Sequence, residues 1–320
     1  MQFVWINQGN ILMKSIGIIG QGFVGSALYE GFKHAFAVNT YDISKGFKRS
    51  FIPDWVPRSE EHEDVVIQFV EQVDKTLSCE EGYKSVLSQT DGPIFVCLPT
   101  PMNKSGECDL SILRSALKML DDLSEEVRTV VIKSTVPPGT VDGFNSEFKN
   151  NICFNPEFLT ERNAVEDFKN QNRIIIGGPE ESLEILSQVF ESSFPEVPLF
   201  KTSSSVAELV KYTTNCFLAV KVSFANELFE LCKAINVDYD EVAKHATKDE
   251  RLGNSHWSVP GPDGKNGFGG SCFPKDLNAI LQLCKSNDVD CSTMSAAWET
   301  NLRVRPEKDW ETLKGRAVSE

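Results

Sequence analysis

The chain has 320 residues, 41% of them hydrophobic with 21 glycines, an ordinary globular composition that excludes disorder and fibres and leaves room for about two domains of ~150 residues. Thirty-two basic against 46 acidic side chains give a formal charge of −14, which excludes a phosphate-neutralising surface for nucleic acid as the overall design and leaves only a local pocket for a small anion. No apolar run approaches the ~20 residues of a membrane span. Nine scattered cysteines without a C-x-x-C pair, beside four histidines, read as free thiols of a reducing cytoplasm and not as a disulfide framework or a metal site.

In chain order, Met1 to Leu12 carries no positive charge and no signal-peptide core, so it reads as an upstream extension with Met13 as the functional start. Ile16 to Gly20 is a β-branched run ending in glycine, Phe23 to His34 an amphipathic helix, and Ala37 to Tyr41 a second strand closed by Asp42. Ser50 to Glu63, with two prolines and an acidic cluster, reads as a surface excursion before a helix near Val65 to Leu77. Further strands fall at Ile94 to Leu98, Thr129 to Lys133, Ile152 to Phe154 and Arg173 to Ile176, with helices at Asp109 to Leu123, Pro138 to Phe148 and Glu180 to Phe194. Alternation of this kind predicts an α/β, Rossmann-like doubly wound parallel sheet over residues 13–202. An all-helical central domain follows over 203–304, then a tail over 305–320. Ser205-x-x-Glu208 has capping-box spacing at the start of a helix of about 30 residues, ~45 Å long, which suits support of a second domain or a dimer contact. The glycine-rich loop Gly253 to Gly270 then leads to a helix opened by Pro274.

Four features carry chemistry. Gly20-Gln21-Gly22-Phe23-Val24-Gly25 joins a strand to a helix, with Asp42 closing the next strand. This spacing suits a pyrophosphate on the helix N-terminus and an acid on the ribose hydroxyls, hence NAD and not its 2′-phosphorylated form. Gly267-Phe-Gly-Gly-Ser-Cys272-Phe-Pro-Lys275-Asp276 puts a thiol at the start of a helix, where amide dipoles and Lys275 favour the thiolate, with Asp276 on the same face. Lys211 and Asn215, four apart, share one face of the long helix. Alone they fit an exposed face; beside the other motifs they fit an ammonium and an amide aimed at an oxyanion. Asn155-Pro-Glu157-Phe-Leu-Thr-Glu161, Lys133-Ser-Thr135-Val-Pro-Pro-Gly-Thr140 and Leu98-Pro-Thr-Pro101 end three strands and are expected to crowd one cleft at the carboxyl edge of the sheet.

Together these motifs, in order over residues 13 to 304, resemble the UDP-glucose/GDP-mannose dehydrogenase family, its UDP-glucose and GDP-mannose branches above the N-acetylhexosamine one. The resemblance implies an NAD-dependent, four-electron oxidation of the C6 alcohol of a nucleotide sugar, UDP-glucose to UDP-glucuronate, through a cysteine thiohemiacetal and thioester. It makes Cys272 the nucleophile, Lys211 and Asn215 the oxyanion donors, Asp276 and Thr135 the holders of the hydrolytic water, and Glu157 the general acid/base. For the cofactor it implies Gly20 to Gly25, Asp42, Pro99, Thr100, Thr135, Glu161 and Lys275. Phe158, Leu159, Thr160, Glu161, Lys211, Asn215, Gly269 and Phe273 line the sugar-nucleotide site, Arg251 reaches the substrate of a partner subunit, and the long helix builds a homodimer. Three departures accompany the resemblance: Ser44-Lys45-Gly46-Phe47 replaces the family's helix and acidic loop after Asp42, a glycine-proline turn stands in Trp257 to Asn266, and the 320 residues read as a short form without the family's C-terminal UDP-binding domain. Two other readings fit part of the pattern. A two-electron β-hydroxyacid dehydrogenase shares the Rossmann domain and the lysine-asparagine pair but has no use for Cys272, and a non-catalytic NAD-binding partner of a full-length enzyme needs neither.

Overall fold

A computed structural model describes residues 13–51 and 70–319. They fall into two compact units: residues up to Leu98 with Ser111–Ser134 and Pro138–Glu208, and Pro99–Leu110 with Thr135–Pro137 and Leu209 onward. The extension read over residues 1–12 and most of the excursion read after Ser50 lie outside the described residues.

The first unit is built on nine described strands: β1 Ser15–Ile19, β2 Ala37–Asp42, β3 Gly46–Phe51, β4 Val70–Asp74, β5 Ile94–Val96, β6 Thr129–Ile132, β7 Asn151–Phe154, β8 Ile174–Gly177 and β9 Leu199–Thr202. They form one sheet in the order β4-β3-β2-β1-β5-β6-β7-β8-β9. The core pairings β2-β1-β5-β6-β7 are parallel, as the alternation with helices requires. The expected parallel sheet is thus formed at the centre, and antiparallel pairs β2-β3, β3-β4 and β7-β8 extend it at both flanks. The helix expected near Val65 to Leu77 is corrected: Val70–Asp74 is a strand. It pairs with β3 into a ribbon whose Lys48 ammonium lies 3.0 Å from Glu71 and 4.0 Å over the Tyr29 ring, so long polar side chains cover a flank that no helix alternation announces.

Helices α1 Phe23–Phe32, α2 Cys79–Ser88, α3 Ser111–Leu123, α4 Thr140–Glu147, α5 Ala164–Lys169 and α6 Glu180–Ser193 belong to this unit. Its core centres on Phe32, fully buried, with ring centroids of Phe95, Phe168 and Phe190 at 5.4, 5.5 and 5.6 Å. A side chain of that size, fully buried, contributes roughly 1.5–3 kcal/mol, so the cluster is what anchors α1, α5 and α6 to the sheet.

The long helix α7, Ser204–Ala234, has 31 residues and runs from the first unit into the second. With α8 Tyr239–Ala246, α9 Phe273–Ser286 and α10 Ser292–Val304 it makes the second unit helical. Tyr212, Ala219, Phe268, Leu277 and Ile280 form one of its cores and Ala225, Tyr239, Trp257 and Val259 another. Residues after 304, read as a tail, pack here too: Arg305, Trp310 and Ala317 are buried, and the Met102 amide donates to Ala317 O at 2.9 Å. None of the helices among the described residues is long and apolar enough to cross a membrane.

The capping box read at Ser205 and Glu208 is not formed. Ser203 Oγ caps α7 by accepting from the Val206 amide at 3.4 Å, and Ser205 donates to Asp142. The Glu208 carboxylate instead accepts from the amides of Gly139 at 2.6 Å and Val141 at 2.8 Å, where α4 begins. A distant, buried partner outcompetes the local one because these helix-start amides have no other acceptor. Burial pushes the Glu208 carboxyl up to about 7 against those two hydrogen bonds, with Asp142 adding to the rise. The unfolded chain therefore releases this proton at lower pH than the folded one, so the contribution of Glu208 to stability declines as pH rises from about 4.5 to about 7. In Glu208→Gln that slope should vanish, which thermal melts of both proteins across the window will read.

Candidate active site

The chain order of the sheet reverses between β1 and β5, and ligands of open α/β sheets bind outside the strand ends at such a point. Gly20 follows β1 there, and Gly22 caps α1. Gly25 is in close contact with this turn: a Cβ on it would lie 1.9 Å from the backbone oxygen of Gly20. Only glycine lets α1 start so near the strand, with its amides open to an anion. Phe23 and Val24 are half-buried on the first turn of α1, and the Gln21 amide donates to Asp42 Oδ2 at 2.7 Å while its side-chain amide donates to Thr40.

Asp42 ends β2. Its other oxygen accepts from the Ser44 amide at 2.9 Å and hydroxyl at 2.5 Å, and Lys45 donates to the Gln21 carbonyl. Burial works to raise the Asp42 carboxyl, but the bonds from Ser44 and Gln21 and the charge of Lys45 hold it below its ordinary value. Residues 43–45 thus make a tight turn between β2 and β3 that ties the acid in its charged form. Beside it lies a cavity of about 390 Å³, lined by Gly20, Asp42, Ile43, Cys79, Tyr83 and Met119 among others. Its wall is mostly apolar, fit for the flat face of a base, with the acid at one end for ribose hydroxyls. Cys79, Tyr83 and Met119 escape sequence reasoning because they arrive from α2 and α3, where they read as ordinary core positions. The cavity, the glycine cradle and the acid suit a dinucleotide.

At the ends of β6 and β7, Lys133 is buried and its ammonium donates to Asn155 Oδ1 at 2.6 Å, while Asn155 Nδ2 donates to Ile175 O at 2.7 Å. Glu157 is buried and accepts from the Leu159 amide at 2.8 Å. Phe158 stacks under the Arg173 guanidinium at 4.2 Å, Leu159 is half-buried, and Thr160 and Glu161 are exposed, Thr160 bonding Asp167.

The second unit collects the remaining residues. Lys211 and Asn215 are 3% and 7% exposed, so the pair does not lie on an exposed helix face. Asn215 Nδ2 donates to Asp276 Oδ2 at 2.6 Å, and Lys275 donates to the other carboxylate oxygen. Cys272 stands half-buried at the cap of α9, its carbonyl accepting from the Asp276 amide at 2.9 Å, and half-buried Phe273 is the first residue of the helix. Burial disfavours the Lys275 ammonium, but the charge of the Asp276 carboxylate and its hydrogen bond hold the lysine above its ordinary value. Thr100 and Thr135 are buried together, the Thr100 hydroxyl donating to Thr135 O at 2.8 Å, with exposed Pro99 beside them. Gly269 lies against the Arg305 guanidinium. Arg251 stands apart: exposed, in a short 3₁₀ turn, its guanidinium forked onto Asp249.

A parallel-cored sheet with this glycine turn, followed by helices that carry a lysine-asparagine pair, defines the NAD-dependent dehydrogenases built of a Rossmann-type and a helical unit. Residues 14–193 match the NAD binding domain of the UDP-glucose/GDP-mannose dehydrogenase family and residues 205–303 its central domain, so the chain belongs to that family and NAD is the cofactor of its first half. It is 32% identical over 306 residues to UDP-glucose 6-dehydrogenase TuaD of Bacillus subtilis (strain 168), covering 92% of this chain and 64% of the relative. With the UDP-glucose 6-dehydrogenase of Rickettsia bellii it is 37% identical over 231 residues, 70% of this chain and 52% of the relative. The chain thus spans about half to two thirds of the length of these relatives. A solved UDP-glucose dehydrogenase of Pyrobaculum islandicum superposes with a TM-score of 0.74 at 27% identity, over 94% of this chain and 70% of that one. The 3-hydroxyisobutyrate dehydrogenase of Mycobacterium tuberculosis, with a TM-score of 0.64 at 15% identity, shares the fold.

In Gly25→Ala the new methyl group must displace the Gly20 carbonyl. NAD⁺ affinity should fall by more than about tenfold, ~1.4 kcal/mol, in a calorimetric titration against the parent.

Proposed function

We propose that the protein is a nucleotide-sugar 6-dehydrogenase that converts UDP-glucose to UDP-glucuronate. The observation that supports this best is the buried group Asn215, Lys275 and Asp276 at the start of the helix capped by Cys272. When bound, NAD⁺ supplies the hydride acceptor, and a four-electron oxidation uses two of them per sugar. Gly20, Gln21, Gly22, Phe23, Val24, Gly25 and Asp42 hold it, with Pro99, Thr100, Thr135, Glu161 and Lys275.

An aldehyde released halfway would diffuse away, so the oxidation needs a nucleophile that holds the carbon. Cys272 Sγ adds to the aldehyde carbon to give a thiohemiacetal, and the acyl group later rests on the same sulfur as a thioester. Water, positioned by Asp276 and Thr135, attacks the acyl carbon; the carbon–sulfur bond breaks and the Cys272 thiolate leaves. Lys211 and Asn215 donate to the oxyanions of both tetrahedral stages. Glu157 moves the proton of the C6 hydroxyl, and Phe158, Leu159, Thr160, Glu161, Gly269 and Phe273 line the sugar-nucleotide site. A two-electron oxidation of a hydroxy acid has no use for Cys272, which is why the four-electron reading is preferred.

We read the working form as a homodimer in the cytoplasm. Along α7, Phe217, Phe224 and Leu231 recur every seven residues and are 66%, 52% and 53% exposed, an apolar stripe that a second copy would cover. Arg251, exposed on the same unit, is the residue assigned to the partner's substrate.

Purified protein should form two NADH per UDP-glucose consumed; a ratio of one, or no turnover, overturns the proposal. Cys272→Ala should make no UDP-glucuronate, and full activity in that variant would remove the cysteine from the mechanism. Phe224→Glu should shift the light-scattering mass from that of a dimer to that of a monomer, and a parent protein that is already monomeric refutes the dimer.

A further inference from the structure

The loop that delivers Cys272 is held by two side chains from helices on either side of it. Asn226 of α7 accepts from the Gly267 amide at 3.1 Å. Asn301 of α10 accepts from the Phe268 amide at 2.7 Å and donates back to the Phe268 carbonyl at 3.0 Å. Both asparagines are buried, at 2% and 0% exposure, and both lie outside the residues given catalytic or binding roles above. Three backbone groups of two successive loop residues are thus satisfied by two carboxamides, each matched donor to acceptor.

The fit leaves little freedom. Gly267 sits at φ +68, and a Cβ on it would lie 2.4 Å from Asn301 Oδ1, so the carboxamide occupies the space a side chain would take. Arg305, buried and paired with Asp263 and Asp309, backs the next turn of the loop at Gly269. The clamped Phe268 ring in turn packs edge-on against Phe273 at 6.1 Å, and Phe273 is the residue next to Cys272. Polar clamp, aromatic contact and helix start form one continuous path.

We propose that Asn226 and Asn301 are positioning residues for Cys272: they fix the Gly267–Phe268 backbone and, through the Phe268–Phe273 contact, set the thiol at the amide end of α9. Neither touches the thiol. The inference rests on the reading of Cys272 as the nucleophile for its catalytic meaning, but the positioning itself is measurable without turnover.

The test compares the parent with Asn226→Leu, Asn301→Leu and Asn226→Asp. Its readout is the rate of iodoacetamide alkylation on the Cys272 peptide, quantified by mass spectrometry from neutral to alkaline pH, with thermal melts alongside. The leucine variants keep the bulk and remove the hydrogen bonds. Asn226→Asp keeps an acceptor for the Gly267 amide and, when protonated, a donor for the Val222 carbonyl that Asn226 now meets. In folded leucine variants, alkylation at neutral pH should slow by about tenfold and its midpoint move upward, as expected for a thiol that leaves a helix N-terminus. The kcat should fall with it while the KM for NAD⁺ stays unchanged, and Asn226→Asp should return towards the parent. Parental alkylation in a folded leucine variant, or an aspartate variant as slow as the leucine one, overturns the proposal. If a leucine variant does not fold, the alanine variant at the same position takes its place under the same criteria. Should Cys272→Ala remain fully active while the clamp variants still lose thiol reactivity, the positioning stands and the catalytic reading falls.

Discussion

The 2.6 Å hydrogen bond from Asn215 to the Asp276 carboxylate joins the long helix α7 to the first turn of α9, and the second unit is arranged around it. A carboxylate 1% exposed must be met by donors from every side that closes on it. Asn215 supplies one and Lys275 the other, and the same lysine ammonium feels the thiol at the helix cap. Burial of a single acid thereby assembles an amide, an ammonium and a thiol within two adjoining helices.

Helix α7 makes this possible because it is long and unbroken. Its period carries Lys211 and Asn215 on one face, and further along Asn226 on the side that meets the loop before α9. At its start Glu208 reaches the amides that open α4. One rigid element thus carries a carboxylate, an ammonium and two carboxamides into buried positions, while its Phe217, Phe224 and Leu231 stay at the surface. Polar residues inside a helix are tolerated only where each finds a partner, and here Glu208, Asn215 and Asn226 each meet a helix start or a loop.

Legibility in the sequence followed the range of the interaction. The glycine turn and Asp42 could be read because their chemistry is local: strand, turn, helix and acid succeed one another along the chain, and the cradle is mostly backbone. The Glu208 side chain was misread for the same reason. Its spacing from Ser205 offered a local explanation, whereas its real partners lie 67 and 69 residues earlier. The ribbon of β3 and β4 was missed because Lys48 and Arg49 hide its alternation; Lys48 is supported by Tyr29 and Glu71, and Arg49 lies over the Phe51 ring. Asn226 and Asn301 carry no signal of their own in a helical pattern.

The sequence by itself determined the class of fold and the dinucleotide turn, since these depend on local conformation and on residue type. The tertiary structure decided how the polar side chains are satisfied: the acid of β2 tied by Ser44 and the Gln21 amide, the cavity walled by α2 and α3, the donors on Asp276, and the two asparagines on the loop before α9. Burial creates the demand for a hydrogen-bond partner, and which residue answers depends on what packing brings within 3 Å, a relation that spacing along the chain does not contain.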